Sequence, residues 1–536
     1  MPSDQKGGGE TFMANGPSPR QPTTILARSD TTPFRLVATP ASTSDLDLHE
    51  IQGDILIGLQ KRWERFVFFS ISDVPAFKGA LRSTIAARIT SSQLVLQREF
   101  LLQSRKMQGR TDLLPLVGVN LGFTQAGLKT LLPDLDLAGF DEAFVAGGKE
   151  NAKDLGDPVD QNGEPTTWDP TFFAAAIHGV FLITGGTEDE VDAEWITLSG
   201  VLGGAATVTY DRKGNVRPGA AAGHEHFGWQ DGISQPGING LTDPFPGQEM
   251  VDPGLFVLGY PGGGADPLPV PWMKNGSYMV FRQLQQLVPE FEAFVLTAAN
   301  AVGMDPVLLG ARLVGRWKSG APLALTPIQD DLAMAANPEQ NNNFDFSDDQ
   351  AQRRCPFGAH IRKTNPRLDI PENGLTPHRI NRQGIPFGHE VSAAERAANS
   401  TQQECGLMFV CYQTIINNQF QFVQRAWANN PIFVSDEIQQ FVKNRPPGPR
   451  STSVISNAQI PAGGSTTADD PKVIVGFDPI IGQQQTNSRT MDEPFSNYPS
   501  GSQRSTLVLP NNFIVPKAGA YFFLPSMSAL IANLAV

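Results

Sequence analysis

Cysteine is scarce in this chain of 536 residues: only Cys355, Cys405 and Cys411 are present, and no two of them have CxxC spacing. A small, odd number of cysteines argues against both a disulfide framework and a structural zinc site. We therefore expect three buried or half-buried free thiols.

Long apolar runs are also missing. No segment approaches the length of a membrane span, so no membrane partner is expected. The N-terminal stretch MPSDQKGGGETFMANGPSPRQPTT contains no hydrophobic segment typical of a secretory signal. The protein is therefore expected to be intracellular or exported by a non-classical route. The sequence leaves its oligomeric state open.

Positive charge is in deficit, with 41 Lys and Arg residues against 54 Asp and Glu residues and a formal net charge of -13. An acidic surface repels phosphate backbones, so nucleic acid is not expected as a partner. Glycine and proline are plentiful, at 52 and 43 residues, which favours many turns and long connections over a helical bundle.

An internal echo indicates a duplicated architecture. A strand candidate at Phe66–Ile71 precedes a helix-like stretch that opens with Val-Pro, and Tyr278–Phe281 precedes another such stretch. Proline is well placed in a first helical turn. Further strand candidates follow in each half: Leu116–Leu121, Val180–Thr184, Gly406–Gln413 and Tyr521–Leu524. We expect Val180–Thr184 and Tyr521–Leu524 to close the two units.

The echo predicts an α+β fold of two domains, each an antiparallel sheet covered by helices. We place a flexible N-terminal arm at residues 1–45, the first domain at 46–265 and the second at 266–536. A Pro- and Ser-rich stretch at 443–471 is a predicted loop insertion in the second domain.

A first candidate for chemistry is the segment GHEHFGWQDGISQPGI, residues 223–238. Asp231 lies between glycines that allow close backbone approach to a flat ligand, and its aromatic and apolar neighbours would alter its pKa for proton transfer. An ordinary Asp-Gly turn explains the same pattern. His224 and His226 would share a face of an extended segment, as a metal pair or as loop histidines.

Two further candidates follow in the second half. In CPFGAHIRKTNPR (355–367), His360 could bind haem iron, and the adjacent Arg362, Lys363 and Arg367 would suit a cofactor with two carboxylates. In HRINRQGIPFGHE (378–390), Arg382 could stabilise negative charge on a peroxide oxygen. A basic surface loop and a turn with exposed arginines are the alternatives.

These three segments, in this order, resemble the dye-decolorizing peroxidases, and most closely their longer fungal members. The resemblance extends to IQGDILIGLQK near the start, GLMFVCYQ in the second half, GFDPIIGQ at 476–483 and YFFLPSMSAL near the end. It thus covers the chain from about residue 48 to residue 530. The resemblance implies two ferredoxin-like domains, with one haem b per chain bound by the second.

The resemblance also implies roles for individual residues. Asp231 and Arg382 match the acid and the arginine on the peroxide side of the haem, and His360 matches the iron ligand. His224 matches a histidine that lines the haem pocket, with Arg362 as a further cofactor contact. Asp478 is expected to accept the Nδ1 hydrogen bond of His360, which would make the imidazole a stronger electron donor.

The implied activity is a peroxidase reaction in which hydrogen peroxide oxidises bulky anthraquinone and azo dyes, phenols and related aromatics by one-electron steps. Asp231 would move a proton between the two peroxide oxygens while Arg382 stabilises the developing charge. The alternative is a haem-binding or haem-handling protein of the same fold with incidental peroxidase activity. Similar fungal enzymes are often extracellular.

Bulky substrates would need oxidation at the protein surface. Fungal relatives often have a tyrosine where this sequence has Phe387, and phenylalanine is a poor radical site. Trp427 matches a tryptophan that similar enzymes use for surface oxidation, although docking of a helix onto the sheet explains an indole there equally well. Asp369 and Glu372 are candidate manganese ligands, as in some relatives.

Overall fold

The computed structural model describes residues 35–36, 46–110, 112–174, 176–263, 267–433, 476–484, 489–496 and 503–536. Most of the expected N-terminal arm and the whole expected insertion at 443–471 lie outside these residues. Within the arm, Arg35–Leu36 forms a two-residue strand, β1, that pairs with Thr242–Asp243.

The described strands form one sheet of nine strands and three small pairs. In chain order they are β1 Arg35–Leu36, β2 Trp63–Ile71, β3 Gly118–Phe123, β4 Gly179–Gly185, β5 Ala206–Asn215, β6 Gly237–Ile238, β7 Thr242–Asp243, β8 Met250–Val251, β9 Ser277–Gln286, β10 Asn381–Arg382, β11 Ile385–Gly388, β12 Cys405–Gln413, β13 Arg489–Ser496, β14 Gln503–Leu509 and β15 Ile514–Leu524. The large sheet runs in the order β10-β12-β9-β15-β3-β4-β2-β5, and β11 also pairs with β12.

Both halves of this sheet repeat one strand order. In the first half, β2 lies between β5 and β4, and β3 follows β4; in the second, β9 lies between β15 and β12, and β10 and β11 follow β12. All these pairings are antiparallel. The predicted α+β duplication is therefore confirmed, and its strand order is that of two ferredoxin-like units.

One predicted strand closure is wrong. Residues 180–184 belong to β4, which is the third strand of the first unit, and β5 follows as its closing strand. The sequence of β5, ATVTYDRKGN, is mostly polar because only Tyr210 and Gly214 in it are buried. In the second unit β15 is the closing strand, as predicted.

The helices cover the sheet and begin where the Val-Pro pairs predict, at Val74 and Val288. They are α1 Val74–Ala80, α2 Ala86–Arg88, α3 Ser92–Met107, α4 Gln125–Leu131, α5 Glu142–Ala146, α6 Pro170–Phe173, α7 Glu188–Leu202, α8 Val288–Val302, α9 Pro306–Val314, α10 Leu332–Ala335, α11 His360–Thr364, α12 Ala393–Ala398, α13 Phe420–Phe422 and α14 Met527–Ala529. Three segments form wider π-helical turns. Leu81–Ile85 joins α1 to α2, Val423–Ala428 follows α13, and Leu530–Leu534 follows α14.

No single helix among the described residues has the length and hydropathy to span a membrane. The pair α8 and α9, bent by 109°, meets those criteria only when its two helices are counted together.

Alternation along the strands builds a core on each side of the large sheet. In β2, Val67 and Phe69 pack in the core beneath helices α1 and α4. Phe66 and Phe68 point to the other side, where they meet Phe281 of β9 at ring-centroid distances of 5.2 and 4.9 Å. Because this second core draws on strands of both units, it packs one unit against the other.

The outer strands of the large sheet, β5 and β11, approach one another closely. A Cβ atom added to Gly214 of β5 would lie 2.6 Å from Ile385 Cγ2 and 2.7 Å from the Pro386 carbonyl oxygen. Only a residue without a side chain fits such a contact. The sheet therefore curves until its two ends almost meet.

Candidate active site

A cavity of about 910 Å³ lies over strands β9, β12 and β15, and its lining includes Asp231, Arg382 and His360. This volume lies in the range of roughly 300–1,000 Å³ that is typical of ligand pockets. Much of the wall is apolar, with side chains including Ile233, Leu284, Phe409, Ile480 and Ile514. The three segments singled out in the sequence thus converge on one cavity.

Asp231 belongs to a loop that folds back on itself. Its backbone N–H donates to the Gly223 carbonyl at 3.0 Å, and the Gly232 N–H donates to its carboxylate at 2.6 Å. Glu225 stabilises the same loop, because its carboxylate accepts the N–H groups of Phe227 and Trp229, each at 2.8 Å. The hydrogen-bonded turn of this loop lies at residues 225–228, not at Asp231-Gly232, which form only a bend, and Asp231 itself lines the cavity.

Arg382 ends the short strand β10, opposite Cys411 of β12. Its guanidinium lies 3.1 Å from the Asp231 carboxylate and also donates to the Ser234 carbonyl at 3.1 Å. Burial raises the pKa of Asp231, but the charge of Arg382 and the bond from Gly232 outweigh it, so the pKa is lowered overall. Asp231 is therefore a carboxylate at neutral pH and can accept a proton.

His360 is the first residue of α11, and its Nδ1 lies 2.8 Å from the Oδ2 atom of Asp478. Asp478 is fully buried, and its other oxygen accepts the N–H groups of Ile480 and Ile481 at 2.8 and 3.0 Å. Burial lowers the pKa of His360, but the charge and hydrogen bond of Asp478 more than offset this and raise it. Within the described part of the chain no hydrogen bond to its Nε2 atom is found, and His360 lines the cavity.

Two arginines in the cavity wall, the buried Arg316 and the half-buried Arg367, have no carboxylate within hydrogen-bonding distance among the described residues. Arg316 donates to carbonyl oxygens and to Asn342 Oδ1, and Arg367 donates to Asn342 and Phe344. Burial lowers the pKa of each guanidinium to about 9. Their positive charge therefore faces a cavity that can hold an anionic group.

Arg316, which lines the cavity, was not singled out in the sequence. Arg362 was expected to contact the cofactor. Arg362 is fully buried and is not among the residues that line the cavity; its guanidinium pairs with Asp369 at 2.6 Å and with Asp349 at 3.3 Å. It lies two residues after His360 on a helix, about 200° around the axis, so it points away from the histidine.

His224 also lies outside the cavity lining described here. Its Nδ1 is 3.1 Å from the Ala222 carbonyl, and its backbone pairs with Gln230 in the same loop. His226 is buried, and its Nε2 contacts the Phe387 carbonyl at 2.9 Å. Both histidines therefore contact the protein chain around the Asp231 loop.

Trp427 is not at the surface, since only 2% of it is exposed, and this corrects its expected location. Its indole stacks on Phe433 with a centroid distance of 5.2 Å and contacts His378 edge-on at 5.3 Å. His378 lines the cavity, so an aromatic cluster joins Trp427 to the cavity wall. Phe387 is likewise buried, in β11.

The expected manganese ligands do not form a cluster. Asp369 is fully buried against Arg362, whereas Glu372 lies in the cavity wall. No group of three or more His, Cys, Asp or Glu side chains within the described ranges could hold a metal ion. All three cysteines are free and buried, as expected.

Two family models match this chain and together span both units. Residues 50–218 match the DyP dimeric alpha+beta barrel domain, and residues 268–448 match the Dyp-type peroxidase C-terminal domain. Asp231 in the cavity wall and Asp478 behind His360 lie outside the matched ranges, whereas His360 and Arg382 lie within the second.

Whole-length relatives agree with these domain matches. Peroxidase 2 of Mycetinis scorodonius is 40% identical, over 98% of this chain and 96% of its own, and the dye-decolorizing peroxidase of Exidia glandulosa is 41% identical, over 93% and 89%. The solved structure of a dye-decolorizing peroxidase in complex with 2,6-dimethoxyphenol is 40% identical, covers 92% of this chain and 100% of its own, and superposes with a TM-score of 0.73. The chain therefore belongs to the dye-decolorizing peroxidase family.

Proposed function

We propose that this protein is a peroxidase that binds one haem b per chain in the cavity and uses hydrogen peroxide to oxidise bulky aromatic compounds. Peroxidases of this family are haem enzymes. The observation that carries the proposal is the pairing of Asp231 with Arg382 in the same cavity as His360, whose Nδ1 is bound by the buried Asp478.

The residues present fit a haem. His360 offers an unhindered Nε2 atom for the iron, and Asp478 fixes the orientation of the ring and increases its basicity. The apolar wall suits the face of a porphyrin, and the charges of Arg316 and Arg367 suit two carboxylate groups. We therefore assign the contact with the carboxylates to these two arginines, in place of Arg362.

On the peroxide side, Asp231 transfers the proton and Arg382 stabilises charge. The redox chemistry would be that of the bound haem, which would hold the two oxidising equivalents of peroxide for transfer to substrates one at a time. Asp231 takes the proton from one peroxide oxygen and returns it to the other, which leaves as water. Arg382 orients the peroxide and stabilises the negative charge as the oxygen–oxygen bond breaks.

We assign dyes and phenols as the class of reducing substrate. Several relatives of 37–41% identity carry the name dye-decolorizing peroxidase, and one structural neighbour holds 2,6-dimethoxyphenol. Because the haem would fill much of the cavity, large dyes would have to donate electrons from outside it.

The first test is an absorption spectrum of the holoprotein, followed by peroxide titration and turnover of an anthraquinone dye. We expect a Soret band with one haem per chain, and dye oxidation far faster than by free haem. Turnover no faster than that of free haem would favour a haem-handling protein instead.

A second test addresses Asp231 itself. Asp231→Asn keeps the size of the side chain but cannot accept the peroxide proton, so we expect a loss of about 10²–10⁴-fold in the peroxide reaction with haem content unchanged. Glu372→Gln is the matched control, since it removes a different carboxylate from the same cavity wall. Equal rates for Asp231→Asn and the wild type in stopped-flow mixing would refute the role of Asp231.

A further inference from the structure

The segment IQGDILIGLQK (residues 51–61), here called the N-terminal motif, has no place in the cavity lining described above. It nevertheless carries polar side chains that are almost fully buried: Gln52 and Asp54 are 0% exposed and Lys61 is 4% exposed. Burying charged groups is costly unless they are paired, so such residues call for a specific partner.

The partners of the motif flank Arg382 on both sides. The side-chain amide of Asn381 donates to the carbonyl oxygens of Ile55 and Leu56 at 2.8 and 2.9 Å. On the other side, Lys61 Nζ donates to the Gln383 carbonyl at 2.7 Å. The motif therefore holds the residue before Arg382 and the residue after it, more than 300 positions away in the chain.

An ion network keeps Lys61 in this position. Its ammonium lies 2.5 Å from Glu64 Oε2 and 3.9 Å from Asp54 Oδ1. Asp54 also accepts the hydroxyl hydrogen bond of Tyr412 at 2.8 Å, and Tyr412 pairs with Asn381 across strands β10 and β12. Strand β10, which carries Arg382, and its partner β12 are thus both tied to the motif.

Arg382 itself is held from the cavity side. The side-chain oxygen of Gln235 accepts its N–H at 3.3 Å, and the amide of Gln235 donates to its carbonyl at 2.5 Å. Gln235 follows Asp231 in the same loop, so these two hydrogen bonds fix the position of the Arg382 backbone relative to Asp231. The N-terminal motif, which belongs to the first unit, holds the neighbours of Arg382 from the side away from the cavity.

We propose that Lys61 and Asn381 are positioning residues that hold the guanidinium of Arg382 against Asp231 for the peroxide reaction. This inference rests on the function proposed above for Arg382. Neither residue touches the cavity; each acts through the backbone on either side of the arginine.

A double-mutant cycle on the holoprotein tests the proposal. Lys61→Met and Asn381→Leu each remove one anchor, in the wild type and in an Arg382→Ala background. Gln52→Leu is the matched control: Gln52 belongs to the same motif and is equally buried, but it bonds Leu121 and Pro525 instead. The measurements are the rate constant for peroxide, haem content and thermal unfolding.

We expect both anchor variants to lower the peroxide rate constant by about tenfold, because a small misplacement of a catalytic group is costly. In the Arg382→Ala background the same substitutions should change the rate by no more than about twofold, because the group they position is gone. Gln52→Leu should stay within about twofold of its parent in both backgrounds, even if its melting temperature falls.

Equal losses in both backgrounds would overturn the proposal and assign Lys61 and Asn381 a purely structural role. So would a loss in Gln52→Leu as large as in the anchor variants. If Lys61→Met does not fold because Glu64 and Asp54 lose their cation, Asn381→Leu decides the question. An Arg382→Ala variant as fast as the wild type would instead refute the proposed role of Arg382.

Discussion

Asp231 keeps its negative charge in a site where burial alone would favour the neutral acid. The guanidinium of Arg382, 3.1 Å away, reverses this balance and holds the pKa of Asp231 below its usual value. The role proposed for Asp231 requires the carboxylate, which is present above that lowered pKa and is lost as the pH falls through it.

Arg382→Ala should consequently move the acid limb of the peroxide reaction to higher pH. Burial is the largest single influence on the pKa of Asp231, and without the guanidinium less opposes it, so the pKa rises and protonation sets in at higher pH. The measurement is the rate constant for peroxide against pH. Arg379→Ala is the control, since Arg379 lines the same cavity but pairs with Glu249. An acid limb that stays in place in Arg382→Ala would contradict the coupling.

In the proposed haem site, Asp478 acts through its hydrogen bond with His360. In Asp478→Asn the side-chain oxygen can still accept the N–H groups of Ile480 and Ile481, but His360 loses its anionic partner. We expect a weaker imidazole donor, a higher Fe(III)/Fe(II) reduction potential and an activity loss of about 10–100-fold. Spectroelectrochemical titration measures the potential, and an unchanged value would show that Asp478 only packs.

For single residues, the sequence predicted that Asp231, Arg382 and His360 share one site, but it did not predict every residue around them. Asp231, Arg382 and His360 were found because each lies in a motif of the family. Arg316 stands alone in a turn-rich segment, and only its tertiary contacts with Asn341 and Asn342 place it in the cavity wall. The direction of Arg362 could not be predicted, because it depends on the helix that begins at His360 and turns the two side chains apart.

Trp427 lies in the π-helical turn Val423–Ala428, which directly follows α13. It belongs to an aromatic cluster with Phe433 and His378. The indole packs between Phe433 and the edge of His378, and His378 reaches the cavity wall. Packing and electron transfer are both compatible with this arrangement, so a test must separate them.

Trp427→Phe does so, because phenylalanine keeps most of the packing but is much harder to oxidise. We expect it to lower turnover of a bulky anthraquinone dye more than turnover of a small phenol, with a modest loss of stability. Trp427→Ser, which leaves a cavity, should cost about 3–5 kcal/mol of unfolding free energy as well. Equal losses for dye and phenol in Trp427→Phe would leave Trp427 a packing residue.

Strands with apolar, aromatic-rich sequences were predictable, and half-exposed ones were not. Strands β2, β9 and β12 are mostly buried, so their apolar and aromatic composition indicates strands in the sequence. Strand β5 has a mixed polar sequence at the outer edge of the sheet, where side-chain pattern gives little signal.

For the whole molecule, the close approach of β5 and β11 links the two units. We propose that the division between them falls near residue 265, in the connection that precedes β9. Gly214→Ala should press its new methyl group against Ile385 and Pro386 and destabilise the protein by about 1–3 kcal/mol.

Gly200→Ala is the matched control for that substitution. Gly200 lies inside α7, and an added Cβ meets nothing within 4 Å, so alanine should stabilise the helix by about 0.5–1 kcal/mol. Chemical denaturation of both variants gives the two free energies. Opposite signs are expected, and destabilisation of both would argue against a close packing contact at Gly214.

The duplication itself was predictable from the Val-Pro echo, because a repeated strand–helix signal needs no tertiary information; the strand order within each unit was not. The joining of both sheets into one was not predictable. It depends on contacts such as Phe123 with Phe523, which lie 400 positions apart and leave no local pattern.

The hydrogen bond between His360 and Asp478 spans 118 positions of the chain. During synthesis, the histidine therefore leaves the ribosome long before its carboxylate partner. A nascent chain that already displays His360, Asp231 and Arg382 still lacks the buried anion that strengthens the imidazole. The proposed reaction therefore depends on a contact that can form only after residue 478 has been synthesised.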